Sequence, residues 1–272
     1  MENKMNVRIL IILVTLTIVQ YAKAVSFSLD TWILNFEPDM KKTSQVITLK
    51  YIGNEYGGPK SDSRTLLPIP IEFSIFPRFI DLDGTVSYDT TKNSPEFVIY
   101  PSQVILYPGD VQKIQIQWVS DKPLSKEMIY GLIALQVPVN LEGNNAATKT
   151  AQGGVTIVTR YEGIIVVKPK ASRPEVIVDT IYSKKDSVGK TTLVFHLKNK
   201  GSGLQITRNM RLTVAPIDEK GHVELAKKII YKPELSESST KHALFAGQVR
   251  RYKTPWPESI PIGPVQIIPE FP

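Results

Sequence analysis

The chain contains no cysteine. That excludes a catalytic thiol, thiolate metal ligands and a disulfide framework, so stability has to come from packed apolar cores. Long hydrophobic runs are scarce as well. Beyond residue 24 no stretch approaches the roughly 18 apolar residues of a membrane-spanning helix, so the mature chain is expected to be soluble. There are three histidines, His196, His222 and His242, and none has a second ligand at metal-site spacing. Asp81-Leu82-Asp83-Gly84 superficially matches the start of a calcium loop, but Lys92 and Asn93 stand where its acidic ligand belongs. A polar hairpin turn is the expectation there. Gly201-Ser202-Gly203 lies in no βαβ unit, so it reads as a turn and not as a dinucleotide loop. No nucleophile elbow and no phosphate loop occur. The expectation is a protein that is not an enzyme and uses no metal or cofactor.

What the chain does contain begins with a leader. Lys4 and Arg8 precede an apolar run over 9–19, and Ala22-Lys23-Ala24 supplies small residues at a cleavage spacing. A secretory signal peptide over 1–24 is expected, leaving a mature chain from Val25. Of the 272 residues, 42% are hydrophobic and 22% charged, which is ordinary globular composition and long enough for two domains. The net charge of +7 is uneven: residues 25–167 carry 12 basic against 15 acidic side chains, and residues 168–272 carry 18 against 10. The basic side chains of the second half stand singly or in pairs, such as Lys184-Lys185, Lys227-Lys228 and Arg250-Arg251. A solvated surface is expected from that scatter, with no nucleic-acid partner.

From Val25 on, the apolar pattern has period two. Val46, Thr48 and Lys50 alternate with Ile47, Leu49 and Tyr51; Ile69, Ile71, Phe73 and Ile75 alternate with Pro70, Glu72, Ser74 and Phe76, the proline being best placed at an edge or strand start. Val111, Ile114, Ile116 and Trp118 follow a Pro108-Gly109-Asp110 turn, in which proline fixes φ and glycine accepts a left-handed position. Further strand-like runs cover 130–139 and 155–167, with a short helical turn expected within 120–129. Prolines 169 and 174 bracket small and basic residues, which reads as an elbow. Strand patterns then restart at 176–181 and 191–197 and continue to 265–268. A faint repeat relates residues 47–54 to 195–201, each an alternating strand running into a glycine turn. Many short strands with frequent turns point to an all-β chain of two sandwich domains, 25–169 and 170–272.

Residues 100–118, with the Pro108-Gly109 turn, and residues 155–169, a strand-like run ending Val166-Val167-Lys168-Pro169, together resemble the periplasmic pilus-chaperone (PapD-like) family. Phe27-Ser28-Leu29-Asp30, and Glu127 before the 130–139 strand, extend that resemblance over nearly the whole mature chain. It implies two immunoglobulin-like domains joined by an elbow, and a periplasmic chaperone that stabilises exported pilus-type subunits by lending them a strand for surface-fibre assembly. An outer-membrane assembly platform would be a further partner. By position, Val155 and Ile157 match donor hydrophobes, Thr159 occupies a third donor position, and Arg160 is the nearest basic residue on that strand. Glu127 and Lys168 match the partners of an interdomain ion pair. The basic residues that hold a subunit's terminal carboxylate in the family are replaced here by Ile33 and Ile164. Either Arg160 substitutes by a register shift or the partner is held differently. The residues themselves leave open whether 155–167 is a donor strand or a core strand. A structural or adhesive cell-envelope protein built on the same sandwiches is the alternative function.

Overall fold

The computed structural model describes residues 26–52, 68–137, 158–185, 187–233 and 242–272. The leader expected over 1–24 lies outside the described residues, and so do Val155 and Ile157.

Among the described residues, ten strands come before the elbow: β1 (Ser26–Leu29), β2 (Ile33–Phe36), β3 (Ser44–Ile52), β4 (Ile69–Ile80), β5 (Val86–Tyr88), β6 (Phe97–Tyr100), β7 (Gln103–Leu106), β8 (Val111–Trp118), β9 (Met128–Gln136) and β10 (Arg160–Val167). One sheet runs β1-β3-β8-β6. The other runs β2-β10-β9-β4-β5, with β7 also pairing β4. Successive side chains on a strand point to opposite faces, so period-two sequence buries one face of each sheet. Ile47, Leu49, Ile114 and Ile116 from the first sheet meet Ile71, Phe73, Ile75, Leu132, Ala134, Ile165 and Val167 from the second in one core. Each fully buried Val, Leu, Ile or Phe side chain contributes roughly 1.5–3 kcal/mol, so the alternation is what selects the sandwich. Among the described residues, the edge where β2 meets β10 is the only parallel pairing in this sheet.

Two turns were legible as turns, and one of them connects differently from the simple strand-to-strand closure its sequence suggests. Asp81 and Gly84 close the β4–β5 hairpin: the Asp81 carboxylate accepts the N–H groups of Asp83 (2.9 Å) and Thr85 (2.8 Å). At Pro108-Gly109, Gly109 takes φ 86° and the Asp110 carboxylate accepts the Tyr107 N–H at 2.9 Å. The strands on either side, β7 and β8, belong to different sheets, so this turn is a corner of the sandwich and not a hairpin. The helical turn expected within 120–129 does not form. Pro123 has no N–H to give a helix, Leu124 packs against the core, and the Glu127 N–H donates to the Ser202 carbonyl at 2.8 Å.

After the elbow come β11 (Val176–Lys185), β12 (Thr191–Asn199), β13 (Gln205–Ile206), β14 (Arg211–Pro216), β15 (Ile229–Tyr231), β16 (Ala243–Leu244), β17 (Val249–Pro255) and β18 (Val265–Glu270). They form sheets β11-β12-β17 and β15-β14-β18 and the ribbon β13-β16. Leu193, Phe195, Leu197, Leu212, Val214, Tyr252 and Ile267 fill a second core, in which Phe195 and Tyr252 stack at 5.5 Å. The two cores share no residue. The faint sequence repeat falls on β3 and β12, each the second strand of its sheet, between the first strand and a later one. Each unit is a β-sandwich with its own core. Among the described residues no helix is long and apolar enough to cross a membrane.

Candidate functional site: a half-open strand and the domain junction

The two edges of β10 are unequal. On one side every residue from Arg160 to Val167 faces antiparallel β9, from Leu135 to Met128. On the other side β2 begins only at Ile33, opposite Ile164, and runs parallel to Val167. Backbone bonds fix which peptides look which way. Gln136 N–H donates to the Thr159 carbonyl (2.9 Å), while Ile164 N–H donates to the Trp32 carbonyl (2.7 Å) and Lys168 N–H to the Phe36 carbonyl (2.8 Å). Antiparallel alternation therefore turns the peptide groups of Arg160 and Glu162 toward the side where β2 has not yet started. Among the described residues, the upstream half of β10 is an edge on that side.

Its side chains divide by the same alternation. Tyr161, Ile165 and Val167 face the core, and the Tyr161 ring meets Phe27 at 4.8 Å and Trp32 at 5.0 Å. Arg160 and Glu162 face outward and pair at 2.9 Å. The Tyr88 hydroxyl reaches across from β5 and donates to Glu162 Oε2 at 2.8 Å. Burial, and then this hydrogen bond, hold the Tyr88 phenol above its ordinary range. Gly131 makes the crossing possible, because a Cβ there would overlap the Tyr88 ring. Thr159 is half-buried: its N–H donates to Gln136 Oε1 at 3.2 Å and its hydroxyl lies 3.3 Å from that of Ser26. Ile33 and Ile164 are register partners on the outer face of the sheet, with Ile33 57% exposed. An aliphatic pair therefore occupies the two positions at which the family resemblance leads one to expect basic residues.

At the junction, Glu127 is 7% exposed and its Oε1 accepts the Ser172 hydroxyl at 3.3 Å. Its Oε2 is buried without a hydrogen-bond partner. Burial pushes the Glu127 carboxyl up from its ordinary range, while the Lys168 charge, the Leu204 N–H and Ser172 pull it back. Lys168 thus acts on Glu127 through its field, and the direct side-chain contact comes from Ser172. Sequence reasoning missed Ser172 because a serine in a polar elbow carries no distinguishing signal.

It also misplaced Arg250, read within a solvated pair. Arg250 is 2% exposed, and its Nη1 donates to the Asp81 carbonyl of the first sandwich at 2.9 Å. Next to it, Arg251 N–H donates to the Leu82 carbonyl (2.8 Å) and its guanidinium lies 3.6 Å from Asp83. The alternating strand places Arg250 inward, a position its charge alone argues against. Among the described residues there is no group of three or more His, Asp or Glu side chains able to hold a metal ion.

No family model matches this chain, and no curated protein matches it. Among solved structures, it is similar to one of a chaperone–tip adhesin complex of CFA/I fimbriae biogenesis, at 12% identity and TM-score 0.49 over 91% of this chain and 99% of that one. It is also similar to the SafB chaperone in complex with SafA pilin of Salmonella enterica, at 13% identity and TM-score 0.46 over 86% of each chain. A third similar structure is the CsuC–CsuE chaperone–tip subunit complex of Acinetobacter baumannii, at 12% identity and TM-score 0.43 over 84% of this chain and 89% of that one.

Proposed function

We propose that this protein is a periplasmic chaperone that binds an exported, pilus-type subunit by adding a strand to it. The single observation that carries this reading is the half-open β10: among the described residues it is paired on both sides only from Ile164 onward. An open strand edge offers unpaired N–H and C=O groups to another chain, and alternate side chains then supply specificity. Val155, Ile157 and Thr159 share the odd parity of Tyr161, Ile165 and Val167, so extending the strand upstream would continue the core-facing row into a partner's core. In this reading the two sandwiches are the domains 25–169 and 170–272, the leader directs export, and an outer-membrane platform receives the subunit. The protein binds and does no chemistry. The exposed Ile33 beside Ile164 favours a second reading, a structural or adhesive envelope protein whose apolar edge meets another fibre component.

The test is substitution of the upstream positions. Val155→Asp and Ile157→Asp should leave the melting temperature nearly unchanged, since exposed substitutions cost about 0.5 kcal/mol or less. One-to-one copurification with a small exported subunit from periplasm should be lost, because a carboxylate would have to enter an apolar groove unpaired. Unfolding of both variants would make these residues core; an intact fold with intact capture would remove strand donation from this segment.

A further inference from the structure

Over residues 168–272 the sequence scatters 18 basic side chains, against 10 acidic ones, singly and in pairs. The register of the β11-β12-β17 sheet gathers several of them on one face. Leu193, Phe195 and Leu197 of β12 point into the second core, so the even-numbered residues from 192 to 198 point out of it. The pairing then places Lys198 on β12, Arg251 and Lys253 on β17 and Lys184 on β11 together on this outer face, with Tyr182 and Val194 in the row of Lys253. Alternation takes one residue of each of the pairs Lys184-Lys185 and Arg250-Arg251 to this side, which their sequence alone does not disclose.

No ladder position on this face holds a carboxylate. Asp179, in the β11 bulge, accepts the Thr180 hydroxyl at 3.2 Å, and Asp83 of the first sandwich lies 3.6 Å from Arg251. Among the described residues no carboxylate is within ion-pair distance of Lys184, Lys198 or Lys253. Lys184 and Lys253 are exposed and Lys198 is half-buried. Val194 points outward between Tyr182 and Lys253 and is nevertheless 1% exposed, so the centre of the face holds no open apolar slot. A polypeptide partner would draw most of its binding energy from anchors buried in such slots. Lysine is a compact, hydrated charge without the fork that arginine offers a single carboxylate, and an array of lysines suits many dispersed anions. Tyr182, 41% exposed and edge-on to His196 at 6.0 Å, has the amphipathic ring that settles at headgroup level.

We infer that this face docks the second sandwich on the anionic phospholipid headgroups of a bilayer, with Lys184, Lys198 and Lys253 supplying the attraction and Tyr182 the interfacial contact. The inference goes beyond strand donation and stands without it, since β10 belongs to a sheet of the first sandwich. The three lysines are about 12–20 Å apart by standard sheet spacings, farther than the roughly 8 Å Debye length at physiological salt. Their mutual repulsion is therefore screened, while each can reach a headgroup of its own. A lysine at an anionic surface strengthens binding about fivefold, so the three together supply roughly a hundredfold. Arg251 adds less, because Asp83 already faces it.

Vesicle cosedimentation of the protein purified after export tests the face. Vesicles containing phosphatidylglycerol should bind it saturably and release it as salt rises, and vesicles of phosphatidylcholine alone should not bind it. Combined Lys184→Gln, Lys198→Gln and Lys253→Gln should weaken binding roughly a hundredfold. Lys220→Gln, Lys227→Gln and Lys228→Gln together remove the same charge from the connection between β14 and β15, and should weaken it less than fivefold. Should the half-buried Lys198 prove necessary for folding, Lys184→Gln with Lys253→Gln, both at exposed positions, should still cost about 25-fold with an unchanged melting temperature. Absence of binding to the anionic vesicles, equal binding to phosphatidylcholine, or equal losses in the two triple variants overturns the proposal. So does capture of poly-glutamate by this face without capture of anionic vesicles, which would make the partner an acidic polypeptide. No subunit takes part, so the Val155→Asp and Ile157→Asp capture test stands or fails separately.

Discussion

One strand, β10, behaves as two. From Ile164 to Val167 it lies between β2 and β9, and Ile165 and Val167 are wholly buried. From Arg160 to Gly163 it has β9 on one side and no strand on the other among the described residues, with Arg160 and Glu162 outward. Composition does not separate the halves cleanly, since a tyrosine and a glycine sit among the upstream charges. What separates them is where β2 starts. A neighbouring strand converts apolar residues into core, and its absence leaves the same backbone as a template. The difference between a strand closed on both sides and one open on one side is here a matter of a few residues of pairing.

The largest expected effect comes from attacking the downstream half. Ile165→Ala removes buried methyl and methylene groups and leaves a cavity, which costs about 2–5 kcal/mol. Arg160→Ala in the upstream half should change stability by no more than about 1 kcal/mol, because its ion pair with Glu162 is nearly half exposed. Urea unfolding of both variants measures the contrast. Equal losses would mean that the two halves belong to one core, and the comparison would collapse.

A second test concerns the end of β10 that the junction closes. Glu127 precedes β9 and Lys168 follows β10, so the pair brackets the doubly paired half. The Glu127 carboxyl is raised above its unfolded value, chiefly by burial. Between the unfolded and folded values the native state keeps a proton that the unfolded chain has released, so rising pH through that window lowers stability. Glu127→Gln should flatten this dependence. Lys168→Ala removes the charge that pulls the carboxyl back, which raises it further and deepens the loss at neutral pH. That loss should stay below the roughly 3–5 kcal/mol of a broken buried ion pair, since Ser172 supplies the direct contact. Unfolding free energies measured across the carboxylate range decide it; a Lys168→Ala curve parallel to wild type would remove Lys168 from the account.

Much of this fold could be read from the chain because period-two alternation reports directly on which face is buried. Ile71, Phe73 and Ile75 in β4, and Ile114, Ile116 and Trp118 in β8, lie on the core side that their spacing implies. The elbow and the Asp81–Gly84 hairpin were legible because proline, glycine and aspartate impose local geometry. Long-range register was not. Nothing local to Ile33 or Ile164 says that they are neighbours, and nothing in Arg250-Arg251 says that Arg250 turns inward against the Asp81 carbonyl. Pro108-Gly109 announces a turn but cannot say that its two strands belong to different sheets. Strand donation from Val155 and Ile157 stays a proposal, because those residues lie outside the described ones.

The smallest effect belongs to Tyr88, whose side chain crosses from β5 to Glu162 in the upstream half. Tyr88→Phe gives up its hydrogen bond to Glu162, worth about 1.5–3 kcal/mol at most for a charged acceptor and less at an exposed site. Gly131→Ala is the sharper probe, because the new Cβ would overlap the Tyr88 ring and force it off the sheet. Gly131 has no positive φ, so alanine is otherwise compatible with the backbone. Gly131→Ala alone should therefore destabilise by about 1 kcal/mol, within the range for displaced or overpacked side chains. In a Tyr88→Ala background the obstacle is gone, and the substitution should become neutral or slightly stabilising, since alanine restricts the unfolded chain more than glycine does. The double-mutant cycle reads that coupling directly. If Gly131→Ala costs the same with and without the Tyr88 ring, the tyrosine does not restrain the upstream half, and the open edge of β10 is set by strand pairing alone.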